Sequence, residues 1–173
     1  MRYFKSTLFA AATLLAATAL AQEDAGRRWP VPDIVAPGTE LVMELFVTIS
    51  AAVTVGPSDH GLRRVVPITG GRFAGSGIKG EVIPGGADWQ LGRVDGIAEV
   101  NAQYSIKTDD GAVIMVENQG IITPANGVGY ARTNARFHAP TGKYDWLNKV
   151  LFVSTISPAT ENGAVVIRVF KVL

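Results

Sequence analysis

Ile97-Ala98-Glu99-Val100-Asn101-Ala102-Gln103-Tyr104-Ser105-Ile106-Lys107-Thr108 decides the fold. Ala98, Val100, Ala102, Tyr104 and Ile106 alternate with Glu99, Asn101, Gln103, Ser105 and Lys107. Successive side chains of an extended chain point to opposite faces, so a period of two held this long specifies a strand with one apolar and one polar face. Around it, from Gly70 to Gly111, short apolar runs are broken by Gly70-Gly71, Gly75-Ser76-Gly77, Pro84-Gly85-Gly86, Asp95-Gly96 and Asp109-Asp110-Gly111. No window is long enough for a helix, and the stretch reads as the middle of an antiparallel sheet. Pro84 to Asp88 has the residues of a hairpin connection and is expected to join strands Ile78–Ile83 and Trp89–Val94.

The same punctuation extends to both sides. Leu41 to Val55 is dense in Val, Leu, Ile, Phe and Thr and reads as one long strand or a bent pair, with Gly56 to Gly61 as a loop. Leu62 to Thr69 resumes as a strand. Arg63 and Arg64 lie at its start, and adjacent strand residues face opposite ways, so at most one of them looks inward. Ala112–Val116, Val128–His138, Lys149–Ser157 and Ala164–Val172 complete the strands, while Thr141–Asn148 reads as a turn with at most one short helical turn. The expectation is an all-β chain of about eight or nine strands, either a closed barrel or a two-sheet sandwich. Short hairpins favour a single antiparallel up-and-down barrel, a shape that can just enclose one small ligand.

The ends and the composition bound what such a barrel can meet. Arg2 and Lys5 precede an apolar run from Leu8 to Leu20, and Ala19-Leu20-Ala21 offers a small-x-small cleavage signal, so residues 1–21 read as a signal peptide. The run is too short to span a bilayer. Residues 22–39, with Pro30, Pro32 and Pro37, read as an extended arm, and 40–173 as one barrel domain. Of 16 basic residues, loss of Arg2 and Lys5 leaves 14 against 15 acidic ones. That balance argues against nucleic acid, or a membrane after cleavage, as the main partner. A small apolar or aromatic molecule is the expected partner, and a homodimer is compatible with the chain. The protein is expected to be secreted or periplasmic; it has no cysteine, so packing and hydrogen bonds must hold it together without disulfides.

Gly75-Ser76-Gly77-Ile78-Lys79-Gly80 matches the G-x-G-x-x-G pattern, but that fingerprint needs a following helix, which Pro84-Gly85-Gly86 forbids. Ser58-Asp59-His60 holds the three residue types of a hydrolase triad, yet consecutive residues rarely converge as one, and no G-x-S-x-G elbow is present. Two histidines and no cysteine give no metal signature, and no cofactor is expected. His60 and His138 have the unperturbed pKa suited to proton transfer near neutrality, balanced by the plain reading of a loop residue and a strand-end residue. Tyr104, Tyr130, Tyr144, Trp89 and Trp146, with Arg132 and Asn148, form a set of polar-ended aromatics and hydrogen-bonding groups that suits a mostly apolar pocket, or equally an ordinary core and rim. Asp88, Asp95, Asp109 and Asp110 read as turn residues bonding their own backbone.

Gly61-Leu62-Arg63-Arg64, Thr69-Gly70-Gly71-Arg72-Phe73, Gly85-Gly86-Ala87-Asp88-Trp89, Asp95-Gly96, Thr108-Asp109-Asp110-Gly111-Ala112 and Tyr144-Asp145-Trp146-Leu147-Asn148 occur in the order seen in the family known as domain of unknown function 3237, and from about Glu40 to Leu173 the chain resembles it. The resemblance implies a calycin-like antiparallel barrel. It also implies a kinship with cofactor-free isomerases or cyclases of phenolic substrates. One departure stands out: the family pattern tends to place an acidic residue and an arginine before the tyrosine, where this chain has Asn101 and Gln103. The leading expectation is an exported barrel that binds a phenolic or polyketide-like molecule and isomerises or cyclises it by acid–base chemistry. His60 would carry the proton, with Arg64 and Arg132 as catalytic partners for a developing oxyanion. Tyr104, Tyr130, Trp89, Trp146, Asn148, Asn101 and Gln103 would contact the substrate. The alternative is a non-catalytic ligand-binding or structural barrel.

Overall fold

A computed structural model describes residues 35–123, 129–161 and 163–173. The expected signal peptide and most of the expected arm lie outside the described residues. Nine strands follow in order: β1 Thr39–Ile49, β2 Val53–Ser58, β3 Gly61–Gly75, β4 Ile78–Arg93, β5 Ala98–Thr108, β6 Val113–Thr123, β7 Tyr130–His138, β8 Phe152–Pro158 and β9 Ala164–Val172, with a short 3-10 turn at Asp145–Asn148 between β7 and β8. Each of β3 to β9 pairs with its sequence neighbour, β9 pairs with β1, and β1 pairs with β3, so eight strands close into an antiparallel barrel. β2 is the extra strand. β3 is long enough to serve two partners: its Ile68–Gly75 half pairs with β1 and its Gly61–Val65 half with β2. The barrel, rather than the sandwich, is the architecture.

Two expected connections are in fact continuous strand. Pro84 to Asp88 is no hairpin: β4 runs through it, with a register shift between Ile83 and Ala87 against β5 and a matching irregularity in β3 between Pro67 and Gly71. Extra residues on one strand of a pair bend it without ending it. The glycines permit the bend, since a Cβ on Gly86 would stand 2.5 Å from the Tyr104 Cβ and one on Gly71 2.0 Å from the Phe46 carbonyl oxygen. Likewise Gly56, Pro57 and Ser58 belong to β2, leaving Asp59-His60 as the turn into β3. The bent-pair reading of Leu41–Val55 holds as β1 and β2. Gly75–Gly77 forms the turn between β3 and β4, with Gly77 at φ 73° and a strand, not a helix, beyond it.

The alternation of β5 sets the interior. Val100, Tyr104, Ile106 and Thr108 are buried, whereas Glu99, Gln103 and Lys107 are exposed. The half of the barrel at the β5–β6 turn is filled solid by residues such as Met43, Leu45, Ile106, Ile114 and Phe152. Its end is capped by the segment around the 3-10 turn. Leu147 is buried beneath it, Phe152 meets Phe137 edge-on with ring centroids 5.0 Å apart, and Trp146 packs against Phe152. The cap is latched from outside. Tyr144 Oη donates to the Asp110 carboxylate at 2.9 Å, and Lys143 Nζ reaches the same group at 2.8 Å. Hydrogen bonds from Lys143, then Thr108 and Tyr144, hold the Asp110 carboxyl well below the usual carboxylate range. Asn148 completes the latch: its Nδ2 donates to the Ala139 carbonyl and its Oδ1 accepts from the Ala139 N–H, both at 2.9 Å.

Candidate functional site

At the opposite end, where β5 begins, the interior opens into a cavity of ≈100 Å³. Its walls are aliphatic, drawn from β1, β3, β5, β8 and β9 through residues such as Val47, Ile68, Val100, Ile156 and Ile167. An engineered apolar cavity of ~150 Å³ in another protein takes up benzene, so a space of this order suits one ring or part of one.

Three polar side chains enter this apolar space from the strands on either side of β5: Asp88 and Gln90 on β4 and Asn118 on β6. Among the described residues that line the cavity, Asp88 is the only carboxylate. Its Oδ1 accepts the Asn101 N–H at 2.8 Å and its Oδ2 accepts from Gln90 Nε2. Gln90 Oε1 in turn accepts from Arg64 Nε at 2.6 Å. The chain Arg64–Gln90–Asp88 thus runs from a cation at the mouth to a carboxyl inside. Burial pushes the Asp88 carboxyl above its ordinary pKa, and the hydrogen bonds from Gln90 and Asn101 and the charge of Arg64 pull back only part of that rise. Burial also pushes the Tyr104 phenol up, which keeps it neutral and able to donate.

The residues singled out in the sequence are distributed over five places. Tyr104 lines the cavity, and of the adjacent arginines it is the exposed Arg64 that connects to it, through Gln90, while Arg63 lines an outer depression. Trp89 (45 % exposed), Asn101 and Gln103 point outward from β4 and β5 and line two shallow depressions on the wall. Asn101 nevertheless serves the cavity through its backbone N–H. Tyr130 and Arg132 lie on the outer face of β7, with the guanidinium 5.2 Å from the Tyr130 ring centre and its Nη1 donating to the Ala131 carbonyl. Trp146 and Asn148 belong to the capped end. His60 sits in the β2–β3 turn with its side chain 71 % exposed, beside Asp59. Its strand runs six residues from there to Val66, the cross-strand partner of Asp88, about 20 Å at the rise of a strand. His138 is exposed on β7, 3.5 Å from Glu117. Among the described residues, no three His, Asp or Glu side chains gather as metal ligands.

Sequence reasoning passed over Asp88 and Gln90 because an aspartate after Pro-Gly-Gly-Ala reads as a turn residue. Parity carried the missing signal. Ile78, Val82, Asp88 and Gln90 share even numbers on one strand, so carrying β4 through the glycine pair puts the carboxyl on the face of Val82.

The molecule is a calycin-like β-barrel, capped at one end, with a polar-ended cavity at the other. Residues 37–172 match the model of the family described as "Protein of unknown function (DUF3237)", and the chain belongs to that family. A UPF0311 protein of Rhodopseudomonas palustris is 38% identical over 151 residues, covering 78% of this chain and 96% of the relative. Its crystal structure superposes with a TM-score of 0.75 at 36% identity, over 81% of this chain and 100% of that one. A "hydroalkoxylation enzyme" of Penicillium herquei is 32% identical over 114 residues, covering 66% of this chain and 70% of the relative. The crystal structure of an enzyme from Penicillium herquei matches with a TM-score of 0.69 at 25% identity, over 83% of this chain and 100% of that one.

Proposed function

We propose that the open half of the barrel binds a small oxygen-bearing aromatic molecule and catalyses its redox-neutral isomerisation or cyclisation, with Asp88 carrying the proton. The observation that supports this most is a carboxyl held inside an apolar cavity with, among the described residues, no cation in direct contact. Burial makes it a stronger base than an exposed aspartate once ionised, suited to taking a proton from a phenol or alcohol. Arg64, transmitted through Gln90, and the Tyr104 phenol would supply positive charge and a donor for the developing oxyanion. The activity named for the Penicillium relative fits this chemistry. An O–H bond adds across a carbon–carbon double bond: the carboxylate removes the hydroxyl proton, the oxygen bonds to one alkene carbon, and a proton goes to the other. Nothing is consumed, so the residues alone suffice.

The test is incubation with a phenol bearing an alkenyl group on the adjacent carbon, followed by chiral chromatography and mass spectrometry. A cyclic ether of equal mass, with one hand in excess, is expected. If the phenol neither binds nor converts, the reading fails. A second reading, a binding protein without chemistry, is favoured by one detail: both Asp88 oxygens already accept a hydrogen bond, as a structural carboxylate would. A phenol that binds but leaves unchanged would select it.

The export signal read in residues 1–21 would put this site outside the cytoplasm. Mass analysis of the protein recovered from its native host is expected to show a chain beginning at Gln22; an intact Met1 terminus would remove the assignment.

A further inference from the structure

Four buried side-chain oxygens among the described residues lack a hydrogen-bond partner, and three of them occupy one region: Asn118 Oδ1, Thr133 Oγ1 and Ser154 Oγ. These residues are 2%, 4% and 1% exposed and lie on the inner faces of the consecutive strands β6, β7 and β8. Thr133 stands opposite Ser154 on one side and opposite Gly120 on the other, and Gly120 is one inward step from Asn118. The strands are drawn together here, since a Cβ on Gly120 would meet the Arg132 carbonyl oxygen at 2.1 Å and the Thr133 Cγ2 at 2.7 Å. Asn118 also lines the cavity, and it shares a register row with the carboxyl: Asp88 pairs with Ala102, and Ala102 pairs with Asn118. The small Ala102 side chain leaves the wall between them low.

A buried oxygen without a partner destabilises the folded chain, and an apolar side chain of the same shape would remove that penalty. Three such groups side by side in an otherwise apolar interior break the rule by which cores are built, which is what recognition surfaces do. Asp88 and Asn118 lie two strand spacings apart, with β5 between them, about 10 Å along the wall. A ring with oxygens on separated carbons, and a hydrogen bond of ~2.8 Å at each end, spans a similar length.

We propose that Asn118, backed by Thr133 and Ser154, recognises a second oxygen of the bound ring, so that the cavity selects dihydroxylated aromatics over those with one hydroxyl. The inference rests on the reading of the cavity as a ring-binding site. One hydroxyl faces Asp88; the other donates to Asn118 Oδ1.

Calorimetric titration with phenol and with resorcinol tests it. Resorcinol is expected to bind the wild-type protein about tenfold more tightly than phenol, the gain of one well-made hydrogen bond. In Asn118→Leu, resorcinol should fall to within about twofold of phenol, so that the preference between the two probes is lost. The double variant Thr133→Val, Ser154→Ala should weaken resorcinol while raising the thermal unfolding midpoint, and it decides the matter if Asn118→Leu fails to fold. Phenol bound with no preference for resorcinol overturns this inference and leaves the ring-binding reading standing. Neither probe bound overturns both. A double variant that melts lower than wild type makes the hydroxyls structural and sinks the proposal.

Discussion

Asp88→Asn is expected to lower turnover of an alkenyl phenol by about 10²–10⁴-fold, the range for loss of a positioned proton carrier, while the ring still binds. Asparagine keeps the size of the side chain and one oxygen to accept from Gln90 or Asn101, but it cannot take a proton. The same substitution has a second signature in stability. The folded-state pKa of Asp88 is raised above 3.8, mainly by burial. The folded chain therefore holds this proton more tightly than the unfolded chain, and its contribution is fully present below the unfolded pKa. It is lost as the pH climbs through the raised folded value. Denaturant unfolding of both proteins at acid and neutral pH should show wild type losing stability relative to Asp88→Asn as the pH rises. Catalysis should follow the opposite course, increasing as the carboxyl ionises. Full turnover by the variant, or a stability difference flat with pH, would remove Asp88 from its role.

The largest expected loss of stability lies at the other end. Phe152→Ala should cost about 3–5 kcal/mol, because Phe152 is 1% exposed and sits between the Phe137 and Trp146 rings where little can move in to fill the gap. For a domain of this size that is a fall of about 10 °C or more in the unfolding midpoint. Affinity for phenol, measured well below that midpoint, should change little, since Phe152 does not line the cavity. A variant that melts like wild type would mean that the capped end is looser than its packing indicates. Equal loss of stability and phenol binding would mean that the two halves of the barrel are not independent.

How much of this was legible beforehand differs by element. β5 could be read outright because period two is a strong signal wherever one face meets a core and the other water. β7 is just as regular, with every second residue buried from Ala131 to Phe137. The bends in β3 and β4 were not legible as bends, since Gly and Pro mark a reversal and a bulge with the same letters. What separates them is the partner strand, which lies elsewhere in the chain. That single ambiguity hid the site, because it detached Asp88 and Gln90 from the face they share with Val82. Tyr104 could be placed on the interior side because an aromatic on the apolar face of β5 is a local property, whereas parity alone left open which of Arg63 and Arg64 lies toward the cavity. His60 drew attention by its chemistry alone, and nothing local tells a turn at the rim from a group aimed inside. Asn118 was passed over for a plainer reason: Gln119 follows it, and the pair reads as surface until β6 is placed in register.

The cap formed by Leu147 and Phe152, fastened through Tyr144 to Asp110, makes the hollow a cul-de-sac. Under the proposed function, substrate would enter and product would leave by one doorway, so the two could not pass each other inside. Product should therefore act as a competitive inhibitor, a rival for the same threshold.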